Sequence, residues 1–220
     1  MFIKLLASMS SRLGGGKLCW PLLLCLPLIL PLSGCISLIA PKVTPELAAL
    51  KPGQYKLDPN HASLVFKIEH LGLSTYVGRF NQLNANLDFT PDNMAAAKLE
   101  AEVDIASIDV NNLKLEQTLQ NSTWFDSEQF PKAYFISESV SASDNGEFVF
   151  HGKLTLHGIT RPVSFNARFH GGADNWMTGK YTLGFSAYGS IKRADFDMAS
   201  YIPIVGNDVQ LEIHAEFLRE

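Results

Sequence analysis

The residues best equipped for chemistry in this chain of 220 are six histidines, His61, His70, His151, His157, His170 and His214. An imidazole titrates near neutrality, so it can move a proton or hold a metal through a ring nitrogen. The spacing supports neither use, because no pair stands as His-x-x-x-His, the interval that puts two ligands on one helix face. His151, His170 and His214 share the strand parity of polar neighbours and face outward, while His157 falls in a turn, where a structural hydrogen bond is expected. His70 has the parity of Phe66 and Ile68. That turns it inward, either as a hydrogen-bonded core residue or as a contact for the polar end of a ligand. Ser74, Ser107 and Ser186 lack the setting of a nucleophile, and Gly72 and Gly78 lack that of a phosphate loop. Three cations complete the candidates: Arg79, whose guanidinium offers a fork to a phosphate or lies solvated, and the adjacent pair Lys192 and Arg193, of which at most one can face a pocket mouth. The expectation is a chain with no catalytic residue, no metal and no cofactor, and with His70, Arg79, Lys192 and Arg193 as the candidate polar contacts.

The elements that must position such contacts are strands. From Tyr55 onward, apolar and polar residues alternate with period two and helical period is nearly absent. Leu64, Phe66 and Ile68 alternate with Lys67 and Glu69, and Leu83, Ala85, Leu87 and Phe89 with Asn84, Asn86 and Asp88. The same rhythm runs through residues 98–105, 147–156, 163–170 and 209–217, and residues 134–140 and 181–191 bring the number to about eight. Turn chemistry falls between them at Pro91-Asp92-Asn93, Asp144-Asn145-Gly146, His157-Gly158 and Gly171-Gly172-Ala173-Asp174-Asn175. Strands with one apolar face must close on themselves to hide it, so an antiparallel barrel is expected, with a two-sheet sandwich as the alternative.

One segment, from Ile108 to Phe130, breaks the rhythm. Asn111 or Asn112 is placed to cap a short helix with Leu115 and Leu119 on one face, and Ser122 or Thr123 a second turn holding Trp124 and Phe125. These aromatics either plug one end of the barrel or cover its rim. Small residues recur at inward positions, at Ala85, Ala101, Gly152, Ala167, Ala187 and Ala215, each beside a large one. That is the pattern of jigsaw packing, and equally of an apolar tunnel, since an eight-stranded barrel is either just filled or just holds one small ligand.

Ahead of the barrel, Lys4, Arg12 and Lys17 precede an uncharged run from Leu18 that ends in Leu32-Ser33-Gly34-Cys35, the order of a secretory leader. These four residues resemble the bacterial lipoprotein signal, which implies that Cys35 is acylated and anchors the chain to a membrane. A retained helix from Leu18 to Ala40 is long enough to span one, but Pro21, Pro27, Pro31 and Gly34 oppose it. Ile36 stands where an inner-membrane retention signal resembling that of enteric bacteria has Asp. Sorting to the outer membrane, on its periplasmic side, is therefore favoured. Loss of residues 1–34 removes three of the 18 Lys and Arg and none of the 22 Asp and Glu, leaving 15 against 22 and a net charge of −7. An acidic chain without a basic patch is not built to grip nucleic acid. Cys19 and Cys25 leave with the leader, so no disulfide is expected. The proline-bearing stretch 35–53 reads as a tether and 54–220 as the barrel.

The barrel sequence resembles the YceI-like, polyisoprenoid-binding, lipocalin-like family. The resemblance rests on Tyr55-Lys-Leu-Asp-Pro-Asn-His61, Ser63 to Gly72, Val77-Gly-Arg-Phe80, Asn121-Ser-Thr-Trp-Phe-Asp126, Phe130-Pro131, Gly152 to Val163, Lys192-Arg-Ala-Asp-Phe196 and Val205-Gly-Asn-Asp-Val209. It implies an all-β, antiparallel, eight-stranded barrel with a short helical insertion. An elongated pocket inside would take a polyisoprenoid, a quinone, a fatty amide or acid, or a similar long-chain amphiphile. The apolar chain would then lie among Phe66, Ile68, Leu87, Ala101, Val103, Phe150, Leu154, Phe165, Ala167, Phe185 and Ile213, with Trp124 and Phe125 as the lid. Trp124 stands where the pattern usually has Phe, and Asp197 where it usually has Gly. An enzyme acting on a lipid head group with His70 as base, and a filled scaffold barrel, are the alternatives. The sequence leaves open whether the chain is a homodimer.

Overall fold

Strands form wherever the sequence alternates, and the ring they make closes. In the computed structural model, which describes residues 40–143 and 147–220, the elements are β1 (Gly53–His70), β2 (Ser74–Phe80), β3 (Leu83–Phe89), β4 (Lys98–Asp104), β5 (Ile108–Asp109), α1 (Leu113–Leu119), β6 (Lys132–Ala142), β7 (Phe148–Leu156), β8 (Ile159–Asn175), β9 (Lys180–Lys192) and β10 (Val205–Arg219). The leader, Cys35 and the Asp144-Asn145-Gly146 turn lie outside the described residues. Antiparallel pairing runs β1, β3, β4, β6, β7, β8, β9, β10 and returns from β10 to β1. The fold is thus a closed eight-stranded antiparallel barrel. β2 pairs with the C-terminal half of β1, beyond the β3 contact, and carries the two-residue β5 on its far side. Among the described residues no helix is long and apolar enough to cross a membrane.

β1 serves both ends of the barrel because it is bulged. Its register against β10 slips between Leu57 and Ala62, so Tyr55 and Leu57 face inward at odd positions and Leu64, Phe66, Ile68 and His70 at even ones. Asp58 fastens the bulge, its Oδ1 accepting from the Asn60 backbone N–H at 3.0 Å and its Oδ2 lying 2.8 Å from His61 Nδ1. Pro59 has no N–H to leave unpaired there. Burial works to raise the Asp58 pKa, but the His61 and Asn60 hydrogen bonds outweigh it and hold the carboxyl below its ordinary value; His61 is raised in turn.

The lower end, where Gly53, Phe89, Asn175 and Arg219 lie, is packed shut. Tyr55 meets Phe89 edge-on, Phe89 stacks on Phe169, and Phe169, Phe185 and Phe217 follow edge to face at centroid distances of 4.9 and 5.7 Å. Part of the expected tether takes part in this packing. Thr44 exchanges two backbone hydrogen bonds with Gly172, Leu50 is buried, and Lys51 pairs with Asp174 at 2.7 Å. Gly171, at φ 127°, permits the approach: a Cβ there would stand 2.5 Å from Val43 Cγ1 and 2.8 Å from Thr44 O.

The upper end is built differently. Asn112 caps α1, its side chain accepting from the Leu115 N–H at 3.2 Å. The following turn is fastened by Asn121, whose Oδ1 accepts from the Thr123 N–H at 2.9 Å, and not by Ser122 or Thr123. Phe125 packs edge-on against Phe80, and Trp124 stacks on Tyr201 at 5.7 Å.

Candidate functional site

Two apolar cavities occupy the barrel. The upper one, of about 270 Å³, lies beneath α1 and the aromatic turn; the lower one, of about 180 Å³, is walled by strands. Leu64, Val103, Ala133, Leu154 and Leu211 line both, so the two chambers share a waist. A cavity lined in this way stays dry and accepts apolar guests, and together the chambers reach the roughly 300–1,000 Å³ range of small-molecule pockets.

The expected apolar contacts divide between the chambers. Phe66 and Ile68 line the upper one; Leu87, Ala101, Phe150, Phe165, Ala167, Phe185 and Ile213 the lower one; Val103 and Leu154 the waist. Small inward residues turn out to have two roles. Ala85, Ala101, Ala167, Ala187 and Ala215 leave the lower chamber open. Gly152 is filled instead, since a Cβ there would lie 2.7 Å from the Phe135 ring and collide with the Ile136 carbonyl. Jigsaw packing and open space therefore coexist, one at the glycine and the other at the alanines.

The expected polar contacts do not all converge. His70 and Arg193 line the upper chamber, as do Trp124 and Phe125. Arg79 and Lys192 point away. Arg79 Nε sits 3.2 Å from Asp109 on the surface, and Lys192 Nζ 2.7 Å from Asp208. The parity that turns Phe185 and Ala187 inward on β9 continues through Ile191 to Arg193 and excludes Lys192. For Arg79 the reason is likewise register: Tyr76, Gly78 and Phe80 are the inward positions of β2. Among the other histidines, His157 Nδ1 lies 3.0 Å from the Phe196 carbonyl oxygen, and His170 and His214 bracket the Ser186 hydroxyl at 2.7 and 2.9 Å on the outer face.

Arg193 is the unusual residue of the site. It is buried, and its guanidinium donates to the carbonyls of Gly206 at 2.7 Å, Val205 at 2.8 Å and Met198. Its face lies 5.6 Å from the Trp124 ring. Burial lowers its pKa, and among the described residues no carboxylate stands at ion-pair distance from it. Three of its five N–H donors are thus used to hold the 198–206 loop. His70 lies across the chamber wall near Tyr76, at 6.3 Å between ring centroids, and among the described residues its ring nitrogens have no hydrogen-bond partner.

Sequence reasoning missed the upper wall supplied by Ile105, Met198 and Val205. Ile105 carries the inward parity of the 98–105 run but is not among the expected contacts, whereas Met198 and Val205 sit in a loop and at a strand end, where period two gives no direction and only their apolarity beside a lid segment could have marked them.

The comparisons agree with this architecture. The YceI-like domain model matches residues 55–217. A UPF0312 protein of Shewanella baltica is 32% identical over 187 residues, covering 84% of this chain and 94% of that protein, and one from Photorhabdus laumondii is 36% identical over 169 residues, covering 76% and 86%. A solved Campylobacter jejuni YceI protein superposes with a TM-score of 0.61 at 29% identity, covering 82% of this chain and 99% of its own. A polyisoprenoid binding domain from Saccharophagus degradans shares the fold at 12% identity, with a TM-score of 0.57 and coverage of 77% and 100%. With the closed barrel, the matched model and relatives above 30% identity over most of their length in agreement, this chain belongs to the YceI-like family.

Proposed function

We propose that this protein binds one long-chain amphiphile, a polyisoprenoid, quinone, or fatty acid or amide, with its tail through both chambers and its polar end beside His70 and Arg193. The carrying observation is the pair of apolar chambers that meet at shared lining residues inside the barrel. Burial of apolar surface at roughly 25 cal/mol per Å² drives the binding. The uncompensated guanidinium and the unpartnered imidazole favour a head group that accepts hydrogen bonds. The Saccharophagus degradans domain, named for polyisoprenoid binding, supports this choice of ligand class. The role is sequestration or transport on the periplasmic side of the outer membrane, with acylated Cys35 as the anchor.

Native mass spectrometry of residues 36–220, purified without detergent and followed by organic extraction, tests the reading. A stoichiometric long-chain lipid is expected; an empty protein that also ignores added isoprenoids and quinones would overturn it. Labelled palmitate should enter the full chain and be lost from Cys35→Ser.

A further inference from the structure

Above the upper chamber, two neighbouring turns present bare apolar side chains to solvent. The β1–β2 turn offers Leu71 and Leu73, the latter 84% exposed, and the loop before β10 offers Tyr201, 61% exposed, with Ile202 and Ile204. The turns are one surface, because the Leu71 N–H donates to the Ile204 carbonyl at 2.8 Å. Leu71 and Tyr201 both hold left-handed backbone, at φ 58° and 63°. Bulky side chains rarely take that region, which glycine enters freely, and such departures gather at working surfaces.

We propose that this lip docks on a lipid surface and passes the amphiphile between that surface and the upper chamber. The proposal rests on the binding reading and adds where the ligand enters. Three observations favour lipid over another occupant. First, the lip is continuous with the cavity: His70 and Val205, which line the chamber, flank the two turns, and Tyr201 stacks on the lid residue Trp124. A tail leaving the chamber here meets apolar surface throughout. Second, neither Leu71–Gly78 nor Met198–Asn207 contains a charged residue, although the barrel is acidic overall. The acidic neighbours of the lip are Glu69, whose carboxylate lies beside Gly72, and Asp197 and Asp208 at the ends of the second segment, the last paired with Lys192, so the surface that fits is zwitterionic and not anionic. Third, the tips combine leucine and isoleucine with an aromatic that has a polar end, the composition that partitions into a bilayer interface. The described N-terminal segment does not cover the lip, since Thr44 pairs at the opposite end.

The ring, core and lid all lie within residues 41–220, so that unlipidated piece carries its own fold and is the protein to test. It should float with phosphatidylcholine vesicles, insensitively to added salt and less well when phosphatidylglycerol is included. Leu73→Ser with Ile204→Ser should lower flotation roughly 100-fold, about tenfold for each apolar side chain removed, and slow lipid uptake from vesicles, with the near-UV spectrum kept. Met177→Ser, which removes an exposed apolar side chain from the opposite end, should change nothing. Wild-type protein that ignores vesicles, or a double variant that floats as well as wild type, overturns the proposal. So does a wild-type dimer that the double variant converts to monomer, because the lip would then be a protein interface. Vesicle-free ligand retention separates the two readings: a barrel that floats yet carries no lipid leaves the lip standing and removes the binding reading.

Discussion

The two chambers of this barrel enclose similar chemistry but are made by different means. Strands wall the lower one, with side-chain direction fixed by the pleat and space created by alanines at Ala85, Ala101, Ala167, Ala187 and Ala215. The upper one is roofed by a helix, an aromatic turn and a loop, and that loop hangs on Arg193 through three carbonyl contacts. A wall of strands holds a rigid slot for a featureless chain. The roof is instead fastened by separate side-chain and loop contacts, Arg193 and the Trp124–Tyr201 stack among them, and the cation and imidazole are found there. On the proposed binding reading, tail recognition falls to the lower chamber and entry and head-group selection to the upper one.

Filling the lower chamber should break this division most visibly. Ala167→Trp is expected to weaken long-chain ligands by roughly 100-fold or more, because a tail that can no longer bury its distal part loses on the order of 1.4 kcal/mol per tenfold. Ligands short enough for the upper chamber should bind nearly as before. Overpacking of this kind costs about 1–3 kcal/mol, which a cavity absorbs more easily than a filled core. A titration series over chain length measures the split; equal losses for short and long chains would mean that the chambers do not act separately. Arg193→Met is the converse cut. It leaves the carbonyls of Met198, Val205 and Gly206 without their donor, at about 1–3 kcal/mol for each group that stays buried. Urea unfolding should show a loss of about 3 kcal/mol, and hydrogen exchange should rise first in residues 198–206, while the β7–β8–β9 wall stays protected.

How much of this was legible in the sequence follows the same line between strand and loop. Period two located the ring and placed Phe66, Ile68, Leu87, Phe150 and Ile213 against a cavity, because in a strand one position determines the direction of the next. It also contained the choice between Lys192 and Arg193, had the β9 parity been carried to its end. The β1 bulge could not be found that way. Pro59 signals an interruption, but the count of slipped residues depends on the Asp58 and His61 pairing. The docking of Thr44 on Gly172 was equally hidden, since a proline-bearing segment looks like a spacer unless its partner on β8 is known. Whether Ala167 and Gly152 leave space or receive a neighbour depends on which ring leans over them, and that is three-dimensional information.

The lower plug offers a pH test that the roof does not. Burial raises the Tyr55 phenol from 10.0 to about 12, against the lowering effect of Arg219 and with Tyr181 and Asp174 adding to the rise. Its hydroxyl donates to the Lys51 carbonyl at 2.6 Å, which ties the segment before β1 to the plug. The folded state keeps this proton where the unfolded chain has lost it, so Tyr55 leaves stability unchanged below pH 10 and erodes it as pH rises to about 12. Denaturant midpoints measured from pH 9 to 12 should fall with this slope in wild type and less steeply in Tyr55→Phe. Phenolate absorbance should show a late-titrating tyrosine in wild type that the variant lacks, beside Tyr181, whose phenol burial also raises.

The smallest expected effect returns to the upper end. Asp197 ends the turn at Arg193–Phe196 with φ 60°, ψ 25°, left-handed backbone that glycine adopts without steric cost. The turn demands the conformation, and aspartate tolerates it better than most residues but not freely. Asp197→Gly should relieve that cost and gain at most about 1 kcal/mol, reduced by the extra freedom glycine brings to the unfolded chain. Because the turn hands the chain from Arg193 to the loop that Arg193 holds, the gain should vanish in an Arg193→Met background, where the roof no longer depends on the turn. A double-mutant cycle measures that coupling. Additive effects would place Asp197 outside the roof and leave its fastening to Arg193 together with the Trp124–Tyr201 stack and the Leu71–Ile204 hydrogen bond.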